Sequence, residues 1–277
     1  VGISGEAMPG RRPTHRELLR VRLLGRLEVR AVDGALVRLG GRHAPALFAL
    51  MVLTRRPRTR ETIAAELWPD ADGTSVGSLR QALWLVRHGL IDAGVDPDAV
   101  LDITPESVGI RPEAWLDVDA ATFERWLDEG DSGIERAVEM YRGDLVEALA
   151  HECFATERER LADRFEDALV ALAQHRLRDG EIAGARLAAE RVLARDPLRE
   201  EAHAVLISVL GLTGSRSQVV RQYRRLQAVL QRELGEAPLP ETDAAYRLAM
   251  VQVVRRSLER AAELEPEHPP TLVALRR

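Results

Sequence analysis

Leu79, Leu83, Val86 and Leu90 recur at intervals of four, three and four residues, the spacing that gathers side chains on one narrow face of an α-helix. This predicts a helix over residues 74–90 whose apolar edge must be buried against something. The opposite side carries Thr74, Gly77, Ser78, Gln81, Trp84, Leu85 and His88, with Arg80 and Arg87 on one flank. Whatever fold the chain adopts must cover one edge of this helix and leave the other available.

The preceding residues supply the cover. Ala46, Leu47, Leu50, Met51 and Thr54 form a helical stripe, with Pro45 tolerated in the first turn and Pro57 closing the element. Thr59 is placed to cap a second helix that buries Ile63 and Leu67 and stops at Trp68-Pro69, with Glu61 in its first turn. Upstream, residues 21–30 partly alternate and 35–39 form a second short run, with a hairpin signal at Val32-Asp33-Gly34 between them. Downstream, 100–104 and 108–111 read as strands around Pro105-Glu106-Ser107. Strands, three helices and a β-hairpin, joined by short connections, are the order of a winged helix-turn-helix.

After Trp115 the chain reads as helix throughout, in segments near 120–129, 133–141 and 156–178. A period of 34 then maps Ala168 onto Ala202, Leu172 onto Leu206, Gly180 onto Gly214 and Val192 onto Leu226. Small residues at Ala173, Ala185 and Ala189, with Pro197 ending the unit, fit a tetratricopeptide-like helical pair; a plain helical bundle is the alternative. Leu258 to Ala262 reads as a further second helix. The expected organisation is mainly α. Residues 1–18 are read as a flexible tail, 19–113 as an α+β winged helix, and 114–277 as an all-α tetratricopeptide-like domain.

Charge divides along the same line. All 39 basic residues are Arg, and the formal charge of −5 is the balance of +7 through Leu90 and −12 beyond. A basic head on an acidic body suits a nucleic-acid-binding module joined to a protein-binding one, although chance segregation of surface charge produces the same imbalance. One Cys excludes an intramolecular disulfide and four-cysteine metal sites, and no apolar run is long enough to span a bilayer. A cytoplasmic protein without membrane association is expected. The seven His are scattered without metal-ligand spacing, His151 and Cys153 lie too close in sequence to face each other on a helix, and no phosphate loop is present. No cofactor, no metal and no catalytic constellation is expected, and hence no enzyme.

A helix presented in this way fits the ~12 Å major groove of double-stranded DNA. Thr74, Ser78, Arg80, Gln81, Trp84, Arg87 and His88 are the candidate reading residues: Gln81 suits adenine, and Arg80 or Arg87 suits guanine or phosphate. Arg42, Arg58, Arg60 and the wing-side Arg111 are candidates for phosphate contacts. The competing reading is an ordinary solvated helix face, and a Trp84-Leu85 patch equally suits a protein partner.

Gly25-Arg26-Leu27-Glu28-Val29, Ala64-Ala65-Glu66-Leu67-Trp68 and Leu79-Arg80-Gln81-Ala82-Leu83 resemble the OmpR-type winged helix of SARP-type (antibiotic regulatory protein) activators. Asp117-Val118-Asp119 with Phe123-Glu124, Tyr141-Arg142-Gly143-Asp144-Leu145, Glu157-Arg158-Glu159-Arg160-Leu161, Asp196-Pro197-Leu198-Arg199-Glu200, Tyr223-Arg224-Arg225-Leu226 and Glu233-Leu234-Gly235 resemble the bacterial transcriptional activation domain that follows it in that family. The resemblance implies a short-form transcription activator that binds promoter repeats on double-stranded DNA and contacts RNA polymerase. It also admits a homodimer through the helical domain. The alternative is a tetratricopeptide-type interaction adaptor whose winged helix no longer reads DNA.

Overall fold

The computed structural model describes residues 19–69 and 75–264. The expected tail at 1–18 and Thr74 lie outside the described residues. The chain divides into two compact units, one ending at Phe165 and the other beginning at Glu166.

In the first unit, β1 (Leu19–Arg22) pairs antiparallel with β2 (Glu28–Ala31). The run read as one strand over 21–30 is therefore broken. Gly25 turns the chain at φ +103°, a conformation that side chains with a Cβ resist. The expected strand at 35–39 is reduced to a single bridge, Arg30 to Leu36. Three helices follow: α1 (Ala44–Thr54), α2 (Arg60–Leu67) and α3 (Ser75–Asp92), with the two-residue β3 (Arg58–Thr59) before α2. Thr59 caps α2 as expected, its hydroxyl accepting from the Thr62 amide at 3.2 Å. A short α4 (Pro97–Val100), unforeseen from the sequence, leads into the wing, β4 (Leu101–Ile103) and β5 (Ser107–Ile110). β5 is central in a sheet ordered β3-β5-β4. Its Gly109 lets Pro57 approach so closely that a Cβ there would sit 2.6 Å from the Pro57 Cα.

Residues after Trp115 are not all helical. Leu116–Val118 forms β6, parallel to β1, and completes a sheet ordered β2-β1-β6. The segment is too short for a periodic signal, and the pairing of Val21 with Val118 spans nearly the whole winged helix. Asp119, the first residue of α5 (Asp119–Asp128), secures the closure: its carboxylate accepts from the amides of Leu23 at 2.7 Å and Leu24 at 3.1 Å. Burial raises its pKa above the usual carboxylate range, against the lowering effect of those amides.

α6 (Asp131–Met140) leads to the Tyr141–Leu145 motif, which docks on the same place. The Gly25 amide donates to the Asp144 carbonyl at 3.0 Å, and Leu24 bridges Leu145. Tyr141 stacks on Phe165 with ring centroids 4.0 Å apart and donates its hydroxyl to Asp144 at 2.9 Å. After a 3-10 turn at Glu152–Phe154, α7 (Ala155–Arg178) begins. Its Arg158 donates to the carbonyls of Leu145 at 2.8 Å and Leu149 at 3.0 Å.

The second unit contains the later part of α7, then α8 (Ile182–Arg195), α9 (Glu200–Thr213), α10 (Arg216–Glu233) and α11 (Pro240–Leu264). Ala168, Leu172 and Val192, and their counterparts 34 residues on at Ala202, Leu206 and Leu226, are all buried. The repeat thus marks equivalent core positions of consecutive helical pairs. Gly211 brings α9 against α11, where a Cβ would meet the Ala249 Cα at 2.7 Å. The segment expected as a further helix at 258–262 is the continuation of the single 25-residue α11. His203 is a satisfied core histidine, its ring nitrogens facing the Pro197 carbonyl at 3.1 Å and the Gln222 amide at 2.9 Å.

Asp119→Ala removes the acceptor of the Leu23, Leu24 and Ala120 amides and should cost about 2–3 kcal/mol, a fall of about 1 M in the urea midpoint of the first unit. Asp119→Asn, which keeps one acceptor, should lose less. An unchanged midpoint in the alanine variant would contradict this role.

Candidate nucleic-acid interface

α3 runs for 18 residues, with Leu79, Leu83, Val86 and Leu90 buried against α1 and α2 as the stripe requires. Gly89 on the buried side admits the Arg38 carbonyl, which would lie 2.6 Å from any Cβ at that position. Such close packing fixes the rotation of the helix about its own axis and so determines which residues face outward. Arg80, Gln81, Trp84 and His88 are exposed, and Ser78 and Arg87 are partly so. Trp84 keeps 55% of its surface in solvent. Its ring lies tilted by 34° against that of His88, with centroids 3.8 Å apart, and His88 Nδ1 faces the Trp84 carbonyl at 3.0 Å. Leu85, expected to point outward, is half-buried, its methyl groups lying over the Gly40-Gly41 turn.

The other candidate cations are placed differently. Arg58 forks onto the carboxylate of Glu66 on α2. Arg60 donates twice to the Thr104 carbonyl, from Nε at 3.1 Å and Nη2 at 2.8 Å, and its backbone amide donates to the Glu106 carbonyl at 3.0 Å. It therefore ties the start of α2 to the tip of the wing. Arg87 pairs with Asp98 at 2.8 Å and holds that carboxyl below its ordinary range, while Arg111 donates from Nε to the Asp98 carbonyl at 2.6 Å. Arg42 is exposed at the turn before α1. Of the candidate residues, Arg80, Gln81, Trp84 and His88 are thus brought together on one exposed face, and Arg58, Arg60, Arg87 and Arg111 each hold a partner within the domain.

Cys153 is half-buried, and burial together with nearby Glu66 pushes its thiol up to about 11. A thiol so protonated is a poor nucleophile. Among the described residues no group of three or more His, Cys, Asp or Glu is arranged to hold a metal, and no helix is long and apolar enough to cross a membrane.

Residues 118–248 match the family model of the bacterial transcriptional activator domain. A segment matching that domain thus follows the winged helix. Among solved structures, EmbR from Mycobacterium tuberculosis, determined in complex with a low-affinity phosphopeptide, is similar in fold. The TM-score is 0.71 at 20% sequence identity, over 90% of this chain and 71% of that one. A search of the curated proteins found no match.

Arg60→Ala should loosen the wing without unfolding the domain. Losing about 1 kcal/mol of hydrogen bonding to Thr104 should speed amide exchange at Glu106 and Ser107 by roughly 5- to 10-fold. Unchanged protection at those amides would show that the hairpin holds itself.

Proposed function

We propose that the chain is a sequence-specific, DNA-binding transcription activator that reads promoter repeats through the outward face of α3 and acts without catalysis. The observation that carries this reading is the α3 surface, where Arg80, Gln81, Trp84 and His88 are exposed while the opposite stripe is locked against α1 and α2. A guanidinium and a carboxamide on adjacent residues supply the side chains that pair bidentately with guanine and adenine in the major groove. The exposed Trp84 indole offers an apolar face of the kind that meets a thymine methyl. The match to an activator domain supports the regulatory role. RNA polymerase is the proposed partner of the helical domain, and a homodimer on paired half-sites is the proposed assembly, in a cytoplasmic setting.

The internal pairing of Arg58, Arg60, Arg87 and Arg111 lowers the number of cations this reading assigns to phosphate. The salt dependence should accordingly be shallower than a census of basic residues suggests, since each phosphate neutralised contributes about 0.9 to the log–log slope.

Selection from random duplexes with the full chain should return a repeated motif, and Arg80→Ala combined with Gln81→Ala should weaken binding to it by about 30-fold or more. Arg58→Ala should leave the salt slope unchanged. Retained affinity in the double variant would overturn the assignment of these residues. Failure to bind any duplex at low salt would favour the adaptor reading, with the Trp84-His88 surface as its protein contact.

A further inference from the structure

Within the first unit, the turn before α1, the end of α2 and the segment at 148–152 enclose a cavity of about 580 Å³, well within the range of small-molecule sites. Its walls include Arg42, His43, Trp68, Leu149 and His151. His43 and His151 are far apart in the sequence, yet their rings lie 6.0 Å apart and edge-on, and His43 meets Trp68 edge-on at 5.2 Å. His43 Nδ1, Trp68 Nε1 and His151 Nδ1 are all buried, and none has a hydrogen-bond partner among the described residues. Buried polar nitrogens are ordinarily paired, and three unpaired ones on the walls of one cavity mark a place built to meet something.

The electrostatics narrow what that is. Burial, then the neighbouring Arg42 cation, lowers the His43 pKa, and burial, His43 and Arg42 together lower that of His151. Both imidazoles are therefore neutral near pH 7, each with one donor and one acceptor nitrogen. Glu66 on the wall is already neutralised by Arg58. Arg42 and Glu152 both stand exposed at the rim, and Arg42 is the charge that acts on His43 and His151. A single guanidinium suits a carboxylate, and the flat rings and Leu149 suit an aromatic body whose polar substituents answer the ring nitrogens.

We propose that this cavity binds a small aromatic carboxylate, its ring held among His43, Trp68, Leu149 and His151 and its carboxylate directed to Arg42. Such an occupant would bear on the start of α1 and the end of α2, the two helices on which α3 rests. The site stands whether or not α3 reads DNA.

The test titrates the full chain with benzoate, salicylate and indole-3-acetate by calorimetry, alongside the size-matched cations benzylamine and tryptamine. At least one acid should bind saturably with a dissociation constant below about 1 mM, within reach of ligands of roughly ten heavy atoms. The matched amine should bind about 10-fold more weakly or worse. Trp68→Phe, which keeps the ring but removes the donor, and Arg42→Gln, which changes an exposed residue, should each weaken the acid about 5-fold or more. Because Arg42 is exposed, its variant tests the site even where Trp68→Phe lowers the melting temperature. Absence of saturation with all three acids, equal binding of acid and amine, or unchanged affinity in both variants would overturn the proposal and leave a cavity served by water.

Discussion

The carboxylate of Asp119, held by the amides of Leu23 and Leu24, is the constraint on which the first unit depends. It lies where β6 has just paired with β1, so one side chain fixes both the end of the first strand and the start of α5. The chain between those points contains the whole winged helix. Anchoring its two ends to one sheet confines α1, α2, α3 and the wing to a small closed loop of structure. The Tyr141–Leu145 segment then adds its own hydrogen bonds to Gly25, and Arg158 gathers the carbonyls of Leu145 and Leu149. Motifs that resemble a family in the sequence thus turn out to be the parts that meet one another: the Asp119 carboxylate and the Tyr141 motif converge on Leu23, Leu24 and Gly25, and Arg158 holds the Tyr141 motif through the Leu145 carbonyl.

Closure leaves α3 with one face committed and the other open. The buried stripe and the Gly89 contact fix the rotation of the helix, while the wing is fixed through Arg60 and the α4 region through Arg87 and Asp98. Arginine serves two purposes in this domain. Where it forks onto Glu66 or reaches the Thr104 carbonyl, its planar, permanently charged head is a structural clamp. Where it stands exposed on α3, the same head is available to a base edge or a phosphate.

Much of this was legible in the sequence because it is local. The α3 stripe, the Thr59 cap and the 34-residue repeat are periodic or short-range signals, and each maps onto the expected helix or core position. The misread parts depend on distant partners. β6 is three residues long and exists because β1 lies beside it. The break at Gly25 follows from the docking of residues nearly 120 positions away. Residues 258–262 belong to one long α11 because the chain carries no breaker between Pro240 and that point. Leu85 is half-covered by the Gly40-Gly41 turn, which no helical wheel contains. The cavity escaped for the same reason: His43, Trp68 and His151 belong to three separate segments, and their spacing in the chain matches no ligand pattern.

The central claim is that the open side of α3 enters the major groove. Methylation interference at guanine N7, an atom exposed in that groove, tests it most directly. Modification at a few guanines of the selected duplex should block binding of the intact chain, whereas occupation of the minor groove by distamycin should not. Binding indifferent to N7 methylation and abolished by distamycin would place the contact on the other side of the duplex and contradict the account.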